Sequence, residues 1–224
     1  MSASLPPSVA ALREQLAAGL IALDLELPSS SCDDLLGFVD LLMTWNRAYN
    51  LTGTSDPREI LYRHILDSLS ILPSLHGKRV LDVGTGAGLP GVPLAICSPE
   101  REFHLLDSSG KKMRFLFAVK TRLRLENLVL IQSRAEDYRY EQGFDTVLSR
   151  AVASLGDLVR LSAPLLAPKG RMLAMKGKLA ASELVEVEPP YTVRSVQTLQ
   201  VPGVTALRQI VCIDHDTPQD GHNP

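Results

Sequence analysis

The segment that most limits what this chain can fold into is Val80-Leu81-Asp82-Val83-Gly84-Thr85-Gly86-Ala87-Gly88-Leu89-Pro90-Gly91. An apolar strand runs into a glycine-dense turn and then into a helix-forming stretch. Glycine permits tight turns and positive φ, and it lets a ligand come close to the backbone. Around this turn the pattern is regular. Short apolar segments at 79–83, 103–106, 128–131 and 146–148 read as strands, and they alternate with helix-like stretches at 90–97, 111–124 and 154–166. A fifth strand is expected at 169–175, and a closing hairpin at 192–199 and 206–213 around Pro202-Gly203. Alternation of this kind predicts an α/β fold with a mostly parallel sheet of seven strands covered on both faces. The glycine turn then lies at the carboxyl end of the first strand, where ligands bind in doubly wound sheets. A tight strand–helix turn without a ligand is the alternative.

The chain before the first strand reads as helical. Leu35, Phe38, Leu42 and Trp45 recur at helical spacing, as do Leu61, Ile65, Leu69 and Leu72. Asp56-Pro57 is an N-cap followed by proline at the first helical position, where no N–H is needed. The division expected is a helical segment at 1–76, a core domain at 77–214 and a polar tail at 215–224 that frays. No apolar run approaches the roughly 20 residues that span a bilayer, and the start shows no clear signal peptide. Three cysteines, Cys32, Cys97 and Cys212, are widely spaced and lack CxxC pairing, so neither a disulfide framework nor a zinc site is expected. These features predict a cytoplasmic protein without a resident metal.

Net charge is −2, which argues against a generally basic nucleic-acid binder, yet the charge is unevenly spread. Residues 101–178 hold 15 basic and 8 acidic side chains, whereas residues 1–79 hold 6 and 9. A basic middle can make a positive face for phosphates, or it can be a set of solvated helix lysines.

Spacing within the glycine turn discriminates between cofactors. A dinucleotide fingerprint wants G-x-G-x-x-G, and Leu89 stands where its third glycine should be. The observed D-x-G-x-G-x-G instead resembles motif I of S-adenosylmethionine-dependent methyltransferases. Asp82 would sit near the cationic methionine end while Gly84, Gly86 and Gly88 pass beside it. Asp107 ends the second strand, where a carboxylate commonly holds ribose hydroxyls, or it caps the next helix. Ala135-Glu136 follows the third strand, where this class contacts adenine; Glu136 is otherwise a solvated carboxylate.

Ser149-Arg150-Ala151 after the fourth strand carries neither the Asn/Asp-Pro-Pro-Tyr/Phe sequence of exocyclic-amine methylation nor a Pro-Cys nucleophile. A ring nitrogen with a free lone pair, such as guanine N7, needs neither device. Attack on the methyl group then rests on orientation.

Several ordered motifs now define a family. Trp45-Asn46-Arg47, Asn50-Leu51-Thr52-Gly53, Arg63-His64-Ile65-Leu66-Asp67-Ser68, the glycine turn through Pro93, Leu106-Asp107-Ser108, Ser133-Arg134-Ala135-Glu136, Ser149-Arg150-Ala151 and Met175-Lys176-Gly177 resemble the small-subunit ribosomal RNA methyltransferase G family, also called glucose-inhibited division protein B. The resemblance runs from about residue 40 to 178. It implies a class I, Rossmann-like methyltransferase with an N-terminal helical extension, acting on guanine N7 in the 530 loop of bacterial 16S rRNA. The family's cofactor positions fall on Gly84, Leu89, Asp107, Ser108, Ser109, Ala135, Glu136 and Arg150. The C-terminus departs from it: Asp214-His215-Asp216 stands where members often end their last strand with basic residues, which weakens any RNA contact there.

The remaining candidates carry two readings each. His64 and Asp67 are neighbours on one helix face, either at the mouth of the site or as a hydrogen-bonded packing pair. Asn46 and Asn50 turn the chain, or contact a base. Lys176 meets a phosphate or is a solvated strand end. Arg150, His64 and Lys176 are the orienting candidates; no residue stands out as a catalytic base. Arg47, Lys111, Lys112, Arg114, Arg134 and Lys176 are the RNA-facing candidates, with Lys120, Arg122 and Arg124 completing the basic helix. The expected partner is 16S rRNA or the small subunit, including an assembly intermediate, with no membrane and no indication of an oligomer. A methyltransferase of small molecules or proteins would keep the cofactor turn without salt-sensitive RNA binding. A non-catalytic assembly module would bind cofactor without methyl transfer.

Overall fold

The computed structural model describes residue 9, residues 11–150 and residues 154–216 of the chain. Ala151 of the expected loop motif and residues 217–224 of the expected tail lie outside the described residues.

Seven strands form one sheet: β1 (Arg79–Val83), β2 (Glu102–Asp107), β3 (Leu128–Gln132), β4 (Phe144–Ser149), β5 (Leu166–Lys176), β6 (Tyr191–Thr198) and β7 (Gln209–His215). Their order is β3-β2-β1-β4-β5-β7-β6. The first five are parallel, while β7 runs antiparallel to both β5 and β6. The chain leaves β1 towards β2 on one side and returns to β4 on the other. The crevice at the carboxyl ends of β1 and β4 is therefore the switch point at which open α/β sheets bind ligands.

Side-chain alternation explains how the sheet buries both faces. On β1, Val80 joins one core cluster while Leu81 and Val83 join Leu106, Phe144 and Val147 on the other face. The first face is covered by the N-terminal helices together with crossover helices. Helices α1 (Arg13–Ala22) and α2 (Ser29–Tyr49) share their core with Val80, Phe103 and Leu105 and with the crossover helices. Phe38 of α2 stacks on Phe115 at 6.3 Å, and Trp45 meets the same ring at 5.6 Å.

Asp56 caps α3 (Pro57–Ile60) as expected, accepting the Arg58 N–H at 2.7 Å and the Glu59 N–H at 3.4 Å. The next turns differ from the regular helix that the leucine spacing predicts. Leu61–Leu66 is a π-helical turn, followed by α4 (Asp67–Leu69). Leu61, Ile65, Leu66, Asp67, Ser68 and Leu69 are all buried. The wider turn accommodates that continuous burial beyond one face, and such turns are frequent at functional sites.

The crossover helices are α5 (Gly91–Cys97), α6 (Gly110–Leu123) and α7 (Leu155–Ser162). The last is shorter than the expected 154–166. A 3-10 turn at Ala163–Leu165 carries Pro164, which has no N–H for a continuing α-helix, and β5 starts at Leu166. A short helix, α8 (Ala181–Leu184), lies between β5 and β6. Strand β7 takes in His215, which the sequence reading placed in the tail. The acidic end of β7 has a structural use: Asp214 pairs with Arg194 at 3.5 Å and Arg171 at 3.9 Å on neighbouring strands.

Candidate active site

Two cavities open at the switch point, and consecutive residues at the end of β4 divide them: Ser149 lines the first and Arg150 the second. The first, about 350 Å³, is walled by Gly84, Asp107, Ser108, Lys112, Arg134, Ala135 and Glu136, with Ser133 and Ser149.

The glycine turn is held from beneath. Asp82, 1% exposed, accepts the Thr85 hydroxyl at 2.7 Å and the Gly91 N–H at 2.9 Å on Oδ2. Burial pushes its carboxyl up to about 6, against the pull of those two hydrogen bonds. Asp82 was expected beside a ligand; its side chain instead closes the turn and forms neither cavity wall. Gly88 and Leu89 also depart from the expected cavity contact. A Cβ on Gly88 would stand 2.5 Å from Val92 Cγ2 and 2.7 Å from Leu116 Cδ2, and the Leu89 side chain is in the core. Both positions pack the turn against its helices. Gly84 is different. It has φ +68° and lines the cavity, and a Cβ there would have no atom within 4 Å.

Asp107 lines the cavity with its carboxylate held by three donors. Its Oδ1 accepts the Ser109 N–H at 2.9 Å at the start of α6, while Oδ2 accepts the Gly86 N–H and Lys112 Nζ, both at 3.0 Å. Ser109 is absent from the cavity wall, whereas Ser108 is part of it. Ala135 and Glu136 lie on the 3-10 turn after β3 and face the same space.

The second cavity, about 420 Å³, is lined by His64 and Asp67 from the π-turn and α4, Arg150 from β4's end, Met175 and Lys176 from β5, Gly53-Thr54 and Arg208. Asp67 is 3% exposed and held between two guanidiniums, with Arg208 Nε donating to Oδ1 at 2.9 Å and Arg150 Nη1 to Oδ2 at 3.5 Å. Burial raises the Asp67 carboxyl above its ordinary value, and the arginines oppose that shift. Arg150 Nη2 also lies 3.4 Å from His64 Nδ1. Guanidinium only donates, so Nδ1 accepts and the neutral ring carries its proton on Nε2. Burial, aided by the Arg150 charge, pushes His64 down to about 4. His64 and Asp67 thus meet through Arg150 rather than through each other.

Lys176 is no solvated strand end, because its Nζ lies 2.6 Å from Glu183 Oε2 of α8 and its side chain is 11% exposed. Asn46 turns the chain: its Oδ1 accepts the Thr52 N–H at 2.8 Å, and Nδ2 donates to Thr54 O at 2.8 Å and Ser55 Oγ at 3.0 Å. That staple delivers Gly53 and Thr54 to the cavity, while Asn50 ends α2 in the left-handed region at φ +48°. Arg208 escaped sequence reasoning, since it stands 141 residues from Asp67 with no local pattern to mark it.

The RNA-facing candidates disperse. Arg47 is exposed on α2, outside both cavity walls. Lys111 lies over the Tyr49 ring at 4.9 Å, and Lys120 Nζ donates to Leu128 O at 2.5 Å. Arg134 is exposed at the rim of the first cavity. Lys112 sits inside that cavity with Asp107 and does not belong with the outward cations. Lys112→Gln is therefore expected to change cofactor affinity several-fold while moving the salt slope of RNA binding by well under the roughly one unit lost with a phosphate contact. Calorimetry paired with a salt titration checks this, and a full unit lost from the slope would return Lys112 to the RNA face.

The fold is similar to that of a Burkholderia thailandensis 1,6-didemethyltoxoflavin-N1-methyltransferase (TM-score 0.56, 13% identity, 81% of this chain and 90% of that one). It is also similar to TrmN from Thermus thermophilus (TM-score 0.53, 19% identity, 66% of this chain and 47% of that one). Sheet order and switch-point cavities define the class I methyltransferase fold. Residues 31–211 match the family described as rRNA small subunit methyltransferase G. The chain is 45% identical over 202 residues to Ribosomal RNA small subunit methyltransferase G of Idiomarina loihiensis, covering 90% of this chain and 98% of that protein. It is 50% identical over 179 residues to the protein of that name from Salmonella paratyphi B, covering 80% and 86%. The chain belongs to the rRNA small subunit methyltransferase G family.

Proposed function

We propose that this protein transfers a methyl group from S-adenosylmethionine to N7 of a guanosine in 16S rRNA, within the 530 loop, in the bacterial cytoplasm. The observation that carries the reading is the pairing of cavities: one with an open glycine and a carboxylate, the other with a histidine whose Nδ1 faces the Arg150 guanidinium. The helices between Arg13 and Leu69 serve as an extension of the methyltransferase core.

The first cavity fits the nucleoside end of the cofactor. Gly84 leaves space where a Cβ would stand, and Asp107 offers carboxylate oxygens to ribose hydroxyls at the end of β2. Ser108, Ala135 and Glu136 flank the adenine side, with Ser109 holding Asp107 in place. Gly86, Gly88 and Leu89 shape the turn, and Asp82 beneath it adds negative charge towards the methionine end, shared with Arg150. Bound there, the cofactor supplies an electrophilic methyl group on a sulfonium.

Guanine N7 presents a lone pair, so no proton has to leave before attack. The second cavity suits that demand. Arg150 can donate to guanine O6, an acceptor beside N7, and orient the ring without occupying N7. Asp67 fixes the Arg150 fork, and Glu183 holds Lys176 at the rim where it faces the substrate. His64, neutral above about pH 4 and donating from Nε2, orients rather than abstracts. The wild-type single-turnover rate is accordingly expected to vary little from about pH 6.5 to 9, because the group nearest the base has already lost its extra proton there. A rate rising tenfold per pH unit, with the rise lost in His64→Ala, would establish base catalysis instead. The function itself is tested by mapping modified guanosines in 16S rRNA from cells lacking the protein; an unchanged N7-methylguanosine in the 530 loop would overturn it.

A further inference from the structure

Of the five phenylalanines, Phe38, Phe103, Phe115 and Phe144 are fully buried, whereas Phe117 is 65% exposed. It stands on the outer side of α6, at the edge of the sheet formed by β3. Beside it is a third cavity of about 340 Å³, lined by Gly110, Met113, Arg114, Phe117, Leu130 and Gln132. Its composition is specific: an aromatic wall, an apolar floor from Met113 and Leu130, a guanidinium and a primary amide. A Cβ on Gly110 would lie 3.0 Å from Gln132 Nε2, so glycine at this position leaves room for the amide. Arg114 is the charged residue lining the slot, and α6 carries no acidic residue.

We propose that this slot is a second nucleotide-binding site, which stacks one unpaired base of the RNA substrate on Phe117 away from the reacting guanine. The inference rests on the RNA substrate named above. Single-stranded RNA is gripped where aromatic rings or arginine planes stack on bases and amides meet their edges. Phe117 supplies the ring, Gln132 a donor and acceptor for the base edge, and Arg114 the charge for the adjoining phosphate. Position agrees with this use. Gln132 pairs in register with Asp107, so the slot and the cofactor cavity open on the same carboxyl edge of the sheet. A protein partner would meet a single exposed aromatic ring beside the Arg114 guanidinium rather than a broad apolar patch, so the chemistry favours a base with its phosphate.

The test compares Phe117→Ala, Phe117→Trp and Arg114→Gln for binding to unmodified 16S rRNA at several salt concentrations. Phe117→Ala is expected to weaken binding about tenfold with the salt slope unchanged, since stacking releases no counterions. Phe117→Trp retains the affinity, and Arg114→Gln lowers the slope by about one. Cofactor affinity by calorimetry, thermal stability and the rate at saturating RNA stay at wild-type values in Phe117→Ala. Wild-type RNA affinity in Phe117→Ala, equal losses in the Ala and Trp variants, or loss of a wild-type dimer in sedimentation would each overturn the slot. A fluorescent oligoadenylate separates this from the function reading. Binding that Phe117→Ala weakens and Phe117→Trp preserves upholds the slot even where no methyl reaches 16S rRNA; methylation of 16S rRNA with wild-type affinities in all three variants fails the slot alone.

Discussion

Arg150→Ala is expected to lower the single-turnover rate of methyl transfer by about 100-fold or more, the scale set by losing the alignment of a reacting group. Among the described residues, Arg150 is the one side chain that touches both His64 and Asp67, 3.5 Å from Asp67 and 3.4 Å from His64 Nδ1. Its removal leaves Asp67 to Arg208 and takes away one of the two main causes that depress His64. The His64 pKa then rises from about 4 towards its ordinary value. The mutant should acquire a pH dependence below neutrality that the wild type lacks, as protonation places a new charge beside the substrate. Arg150→Lys keeps charge but loses the planar fork, so it should recover the flat pH profile better than the rate. By contrast, His64→Ala should cost less than about tenfold, below the roughly 10²–10⁴ typical of a general base. Quenched-flow transfer to unmodified small subunits, with both substrates saturating, measures all three. A rate for Arg150→Ala within about threefold of wild type, in a folded protein, would remove Arg150 from the orienting role that its geometry suggests.

What the sequence disclosed and what it concealed follow from the range of the interactions. Strands could be read because alternation and β-branching are local, and β1 runs from Arg79 to Val83 as expected. The Asp56 cap and the turn of the chain at Asn50 are likewise local and legible. The π-turn was not, since Leu61, Ile65 and Leu69 fit a regular helix until burial of the intervening Leu66, Asp67 and Ser68 is imposed by tertiary packing. Within the glycine turn, spacing identified the motif but could not divide its labour: that Asp82 and Gly88 hold the turn, while Gly84 faces open space, depends on Leu116, Val92 and Thr85 in three dimensions. The basic helix shows the same limit. Adjacent lysines in sequence point in different directions, so Lys111 meets Tyr49 while Lys112 meets Asp107. Arg208 carried no signal at all, because its partner is 141 residues distant.

That division of labour predicts opposite outcomes for two valine substitutions four residues apart. Gly84→Val should give a folded protein that has lost at least about 100-fold in cofactor affinity, roughly 2.7 kcal/mol of binding free energy. Its cost to folding is confined to the left-handed backbone at φ +68°, about 1–2 kcal/mol for a residue with a Cβ. No atom lies within 4 Å of the new Cβ, so the side chain extends into the space assigned to the cofactor. Gly88→Val meets the same backbone penalty at φ +80° and adds direct overlap with Val92 and Leu116 at 2.5 and 2.7 Å. Forcing a side chain into a packed core adds about 1–3 kcal/mol. Together these should lower the melting temperature by roughly 5–15 °C for a chain of this size, against a few degrees for Gly84→Val. Gly88→Val should therefore lose binding through loss of structure, and Gly84→Val without it. Calorimetry and thermal melts on both variants decide the matter. Wild-type cofactor affinity in a folded Gly84→Val would show that the ligand does not pass this glycine, and the first cavity would have to be reassigned. A Gly88→Val protein as stable as wild type would mean that the turn is not locked against α5 and α6, and that its shape depends on the cofactor instead.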